Sequence, residues 1–150
     1  MNYKTATDTE IESVAKVLIV NGSREALVLI LGEHKLYPEK SFLPDLPGGI
    51  VEQDESEKIA VIREAKEESN IDLNPDDVYL AYAKTEFFPK EKKSVSKFLY
   101  ICTVENTPEV ELSWEHSAHK WVKLDELLET TEFRPFFQDA IEYSLVNNLI

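Results

Sequence analysis

The stretch from Gly49 to Ile71, GIVEQDESEKIAVIREAKEESNI, decides how the chain is read, because it closes with three carboxylates in five residues inside a segment that reads as helix. The predicted helix runs from about Ser56 to Ser69. Asp54 or Ser56 serves as its cap, and Asp54 with Glu57 has capping-box spacing. Asn70 is suited to end it, since Asn tolerates the left-handed conformation. At 100° per residue, Arg63, Glu64, Glu67 and Glu68 share one arc and Val61, Ile62 and Ala65 the opposite one. Ala60 sits inside the acidic arc and leaves room there, whereas Lys66 projects near Ile59 and has to snorkel. Glu64 and Glu68 are a like-charge i,i+4 pair, which costs a helix roughly 0.2–0.5 kcal/mol unless a cation offsets it. Arg63, placed to reach Glu67 or fold back to Glu55, offsets only part of it. The acidic arc is expected to face away from the core.

A solvated acidic face is the ordinary reading of such a helix, but its surroundings argue for a ligand. Leu46-Pro47-Gly48-Gly49 enters just before it, and glycines let backbone carbonyls approach a ligand closely. Carboxylates and carbonyls together suit hard divalent ions, Mg²⁺ above all. The charge balance fits: 16 basic against 29 acidic residues give a formal net charge of −13. Such a field repels nucleic-acid backbones and anionic membranes unless a cation intervenes.

Outward from this helix, the chain of 150 residues, 43% hydrophobic, is expected to form one domain, with residues 1–12 a flexible N-terminus. Val14–Val20 and Ala26–Leu31 flank Asn21-Gly22-Ser23-Arg24 as a hairpin. Gly32 to Gly49, with Pro38, Pro44 and Pro47, reads as a loop. Val78–Phe88 and Val95–Val104 form a second strand pair around Pro89–Ser94, and His119–Leu124 a shorter strand. Asp125–Glu129 suggests a short helix and Pro135–Asn147 a longer one, with Phe136, Phe137, Ile141 and Leu145 inward. Strands and helices in this order indicate α and β layers around one sheet. The single Cys102, in an apolar run, permits no internal disulfide and reads as a buried thiol in a reducing compartment. No leader or membrane span is read, so a cytoplasmic protein is expected.

Gly49, five residues, Glu55, seven residues, then Arg63-Glu64-Ala65-Lys66-Glu67-Glu68 and the aliphatic Ile71 resemble the Nudix box of Nudix hydrolases, of the MutT-like single-domain kind. Asn70 stands where the family pattern has glycine, a tolerable exchange at a helix cap. The resemblance implies an α/β/α sandwich with a mixed central sheet and the catalytic loop and helix between strands. It implies hydrolysis of a diphosphate bond in a nucleoside diphosphate linked to another moiety, with Mg²⁺ or Mn²⁺. By it, Glu64, Glu67 and Glu68 hold metal with a carbonyl of Gly48 or Gly49, Glu67 and Glu64 act in catalysis, and Arg63 and Glu55 orient the cluster. The general base is a box glutamate or a later loop glutamate, for which Glu115 in Ser113-Trp114-Glu115-His116, before Trp121, is the candidate. His116 and His119 read as solvent-exposed rather than catalytic, with contact to a phosphate or base as the alternative.

Phe42, Phe87 and Phe88 are candidates to stack on a base. The family's substrate markers after the box are not matched by Phe87-Phe88-Pro89, and the patch Lys90, Lys92, Lys93, Lys97 reads as solvated or as a phosphate contact. Size favours a nucleoside triphosphate. The alternatives are ADP-ribose or a nucleotide sugar, a dinucleoside polyphosphate, an RNA 5′ end, or a sensor without turnover. The intact carboxylates count against the sensor, the missing EF-hand pattern against a plain ion-binding protein, and isoprenoid isomerisation lacks identifiable acid and base groups. The partner expected is a small nucleotide, with no duplex nucleic acid, for a monomer or homodimer.

Overall fold

The computed structural model describes residues 8–150. Of the N-terminal segment expected to be flexible, residues 1–7 lie outside the described residues, and Glu10–Glu12 lie in the first strand. That strand, β1 (Glu10–Val20), leads through a turn to β2 (Glu25–Leu31). Asn21 builds the turn, its Oδ1 accepting the N–H groups of Ser23 and Glu25 at 3.0 and 2.9 Å.

The hairpin closes only at its turn. β1 and β2 pair at Val20 and Ala26 and then part. The gap is filled by the second half of the expected loop, which is not structureless: β3 (Pro44–Asp45) pairs with β2 and β4 (Gly48–Ile50) with β1. A 3-10 turn at Pro38–Lys40 precedes them. Loop composition hid these strands because each is two or three residues long and held by neighbours rather than by its own propensity.

Helix α1 (Glu57–Ser69) follows. Its cap is Ser56, whose Oγ accepts the Ile59 N–H at 3.2 Å. The Asp54–Glu57 capping box is not formed; Glu55 instead folds back to accept the Glu52 N–H at 2.9 Å. Asn70 ends the helix in the left-handed conformation, φ 60°. A second 3-10 turn, Pro75–Asp77, leads into β5 (Val78–Phe88), which pairs antiparallel with β6 (Lys93–Thr103), and β6 runs parallel to β1 along its whole length. β7 (His116–Lys123) begins three residues earlier than expected and pairs with β2. α2 (Leu127–Thr130) and α3 (Pro135–Val146) complete the order.

Among the described residues the seven strands form one mixed sheet. Strand alternation sends Ala15, Val17 and Ile19 to one face, against Val61 and Ala65 of α1, and Leu18 and Val20 to the other, against Phe136, Phe137, Ala140 and Ile141 of α3. The three layers are those expected. Leu145 is half-buried at the border of the α3 face. Cys102 is buried, and burial pushes its thiol up to about 11, an inert state. Among the described residues no helix is long and apolar enough to cross a membrane.

Candidate active site

The parted hairpin is where the site forms. Lys16 belongs to the same face of β1 as Leu18 and Val20, and without partners its buried ammonium would be costly. All three of its protons are used: Nζ donates to Asp45 Oδ1 at 3.0 Å, to the Leu46 carbonyl at 3.1 Å and to the Gly48 carbonyl at 3.0 Å. Gly48 has φ +140°, and a Cβ there would meet the Ala15 carbonyl at 2.1 Å, so only glycine fits against β1.

α1 brings its carboxylates to this gap at three depths. The Glu67 side chain is 57% exposed, that of Glu64 16% and that of Glu68 3%. The last corrects the expectation that the whole acidic arc faces away from the core. Glu68 Oε1 accepts the Gly48 N–H at 3.1 Å. Burial pushes its carboxyl up to about 8, against the opposing pull of Lys16 and the Gly48 N–H. Glu64 lies on Gly49, where a Cβ would stand 2.8 Å from Oε1.

Arg63 ties the set together. Its Nε and one terminal nitrogen grip both oxygens of Glu55 at 3.0 and 2.7 Å, and the other terminal nitrogen reaches Glu64 at 3.2 Å and Glu67 at 3.2 Å. The guanidinium holds the Glu55 carboxyl down at about 2. Lys66, the expected misfit, leans out to Asp72 at 3.2 Å.

His116 is the residue that sequence reasoning misread. Rather than solvent-exposed, it is buried at the start of β7, with Nε2 2.9 Å from Asp45 Oδ2 and Nδ1 3.6 Å from Glu68 Oε2. Asp45 is thereby shared by Lys16, His116 and, at 3.7 Å, Arg134. Burial pushes its carboxyl up, but the His116 hydrogen bond and Lys16 outweigh it, and the net direction is down. Lys16 and Asp45 were also missed, though a lysine inside the apolar run of β1 was a visible signal. Donor atoms of Asp45, Glu68 and His116 lie within 4.8 Å of one another. The Lys16 ammonium on Asp45 repels a second cation there, so Asp45 and His116 are better suited to bracing Glu68 than to holding an ion.

An all-oxygen donor set at graded depth, with the Glu64 carboxylate seated on a glycine, fits a hard divalent ion. Of the two expected carbonyls, that of Gly48 already accepts Lys16. Glu115 is exposed in the turn before β7, and its carbonyl accepts the Gly32 N–H at 3.0 Å. His119 is exposed on β7.

Beside the gap, on the α3 face, lies a cleft of about 470 Å³ lined by Lys16, Lys97, Glu86, Arg134, Phe136 and Phe137. Lys97 sits over the Phe136 ring at 5.9 Å and Arg134 over Phe137 at 5.5 Å. Phe42, Phe87 and Phe88, the expected stacking residues, are exposed and do not line it. Phe136 and Phe137 do, and the helical period had marked them only as core.

A family model described as the NUDIX domain matches residues 11–142. An asymmetrical bis(5′-nucleosyl)-tetraphosphatase of Caenorhabditis elegans is 31% identical over 97 residues, 65% of this chain and 69% of that protein. The crystal structure of a MutT protein from Methanosarcina mazei Go1 superposes with a TM-score of 0.75 at 27% identity, covering 93% of this chain and 97% of that one. That of a C. elegans Ap4A hydrolase binary complex gives 0.62 at 26% identity, covering 91% and 99%.

Proposed function

The chain belongs to the NUDIX family and is a Nudix-type pyrophosphohydrolase, and we propose that it cleaves the polyphosphate bridge of a dinucleoside tetraphosphate asymmetrically, with Mg²⁺ or Mn²⁺. The observation that carries the metal-dependent chemistry is the placing of Glu64 and Glu67 by Arg63, with Glu64 against Gly49 and Glu68 at the Gly48 N–H. The substrate class rests on the tetraphosphatase relative and the Ap4A hydrolase structure, and on Lys16, Lys97 and Arg134 concentrated around one cleft of an acidic chain. Nucleoside triphosphates, the substrate expected from the sequence, are the second reading.

Glu64, Glu67 and Glu68 hold the ion. When bound, it neutralises polyphosphate oxygens and makes a nearby water more acidic. Arg63 fixes Glu64 and Glu67 in direction while Glu55 fixes Arg63. Lys97, and Arg134 beside its 3.7 Å contact with Asp45, take the outer phosphates, and Phe136 and Phe137 offer the apolar wall for a base. A carboxylate, Glu67 or the loop residue Glu115, accepts the proton of the attacking water. The water oxygen bonds to phosphorus as the bridging P–O bond breaks, and the bridge oxygen leaves with the other fragment.

The test is product analysis with dinucleoside tetraphosphates, nucleoside triphosphates, ADP-ribose and 5′-triphosphorylated RNA, each with Mg²⁺, Mn²⁺ or EDTA. Metal-dependent release of a mono- and a triphosphate from the tetraphosphate, faster than any other turnover, is expected. Faster release of pyrophosphate from triphosphates selects the second reading, and nucleotide binding without turnover contradicts both.

A further inference from the structure

Among the described residues three buried side-chain polar atoms have no partner, and two of them, Ser113 Oγ and His116 Nδ1, belong to the segment that enters β7. That segment is clipped to the end of α1. The Ser113 N–H donates to the Glu68 carbonyl at 3.2 Å and the His116 N–H to the Ser113 carbonyl at 3.4 Å. The imidazole is anchored on one edge only: Nε2 lies 2.9 Å from Asp45, itself fixed by Lys16. The opposite nitrogen faces Glu68 Oε2 across 3.6 Å, while Oε1 is already held by the Gly48 N–H.

Packing alone does not explain such a residue. A buried nitrogen without a partner costs about 1–3 kcal/mol; the bond from Nε2 to Asp45 accounts for one edge of the ring and leaves the edge that faces Glu68 to be explained. We infer that His116 is a positioning residue for Glu68: the Nδ1 edge of its ring, 3.6 Å from Oε2, limits rotation of the carboxylate and fixes the direction in which Oε2 is held. The inference rests on the reading of Glu68 as a metal ligand. Groups that orient a ligating carboxylate typically contribute 10–100-fold to metal affinity.

Two substitutions separate the two edges of the ring. His116→Asn puts an amide atom where Nδ1 stands and gives up Asp45, and His116→Gln puts one where Nε2 stands and gives up Glu68. Mn²⁺ binding to the purified protein without substrate, read by loss of the free-ion electron paramagnetic resonance signal, is compared with thermal unfolding. His116→Gln is expected to bind Mn²⁺ about 10–100-fold more weakly at unchanged stability, and His116→Asn to stay closer to wild type. The reverse order, or equal affinities, overturns the inference and leaves His116 as an anchor for Asp45. Wild-type protein that binds no Mn²⁺ overturns the metal-site reading itself. Ring ¹⁵N spectra of wild type decide the matter if neither variant folds: the Nδ1 resonance is expected to shift with Mg²⁺, and an unmoved Nδ1 contradicts the proposal.

Discussion

At the scale of single residues, Arg63 is the clearest case of one side chain serving several others. It is bidentate to Glu55 and reaches Glu64 and Glu67 with the same guanidinium. Lysine has one point charge and no planar fork, so Arg63→Lys is not a conservative change. In Arg63→Lys the Glu55 carboxyl, now held at about 2, is expected to rise toward the ordinary 4.5 as the hydrogen bonds are lost. Side-chain carbonyl ¹³C titration reads this directly, and an unmoved Glu55 contradicts the role assigned to Arg63. Glu67→Gln removes an exposed carboxylate that packs against nothing in the core, so the fold is expected to survive while kcat falls about 10²-fold or more. Steady-state rates at saturating Mg²⁺, beside far-ultraviolet circular dichroism, check both halves. The Glu55–Arg63 pairing was legible because both residues lie near one helix and spacing alone brings them together. Asp45 and His116 were not, because they are 71 positions apart and meet only once β3 and β7 flank β2.

At the scale of elements, α1 carries both the chemistry and its own terminators. Its C-cap Asn70 stands at φ 60° and also donates to Glu111 at 3.1 Å. An alanine there pays about 1–2 kcal/mol for the left-handed conformation. Asn70→Ala is therefore expected to lower the unfolding midpoint and Asn70→Gly to leave it nearly unchanged; equal losses would mean that the side-chain bond, not the backbone, matters. The boundaries of α1, β5, β6 and α3 were legible to within about two residues, since each has a periodic apolar pattern and a capping or turn residue at its ends. β3 and β4 carry no such pattern. Their existence follows from the parting of β1 and β2, a tertiary event that propensity does not encode.

At the scale of the whole molecule, an acidic chain keeps a buried carboxylate beside a lysine, a histidine and a second carboxylate, and its stability therefore depends on pH and metal together. The Glu68 carboxyl, raised by burial from 4.5 to about 8, keeps in the folded chain a proton that the unfolded chain releases. The sign follows: this contribution is full below about pH 4.5, declines as pH rises, and is lost above about pH 8. Urea midpoints in EDTA are expected to fall between about pH 5 and about pH 8.5 in wild type and to change less in Glu68→Gln. Mg²⁺ is expected to oppose the wild-type decline by binding the folded chain. An anomalous-difference map from a crystal soaked in Mn²⁺ tests the metal site most directly. Peaks within about 2.0–2.3 Å of the Glu64, Glu67 and Glu68 carboxylates are expected. A map whose only peak lies between Asp45 and His116, or one with no peak near α1, would contradict a metal site on the α1 carboxylates.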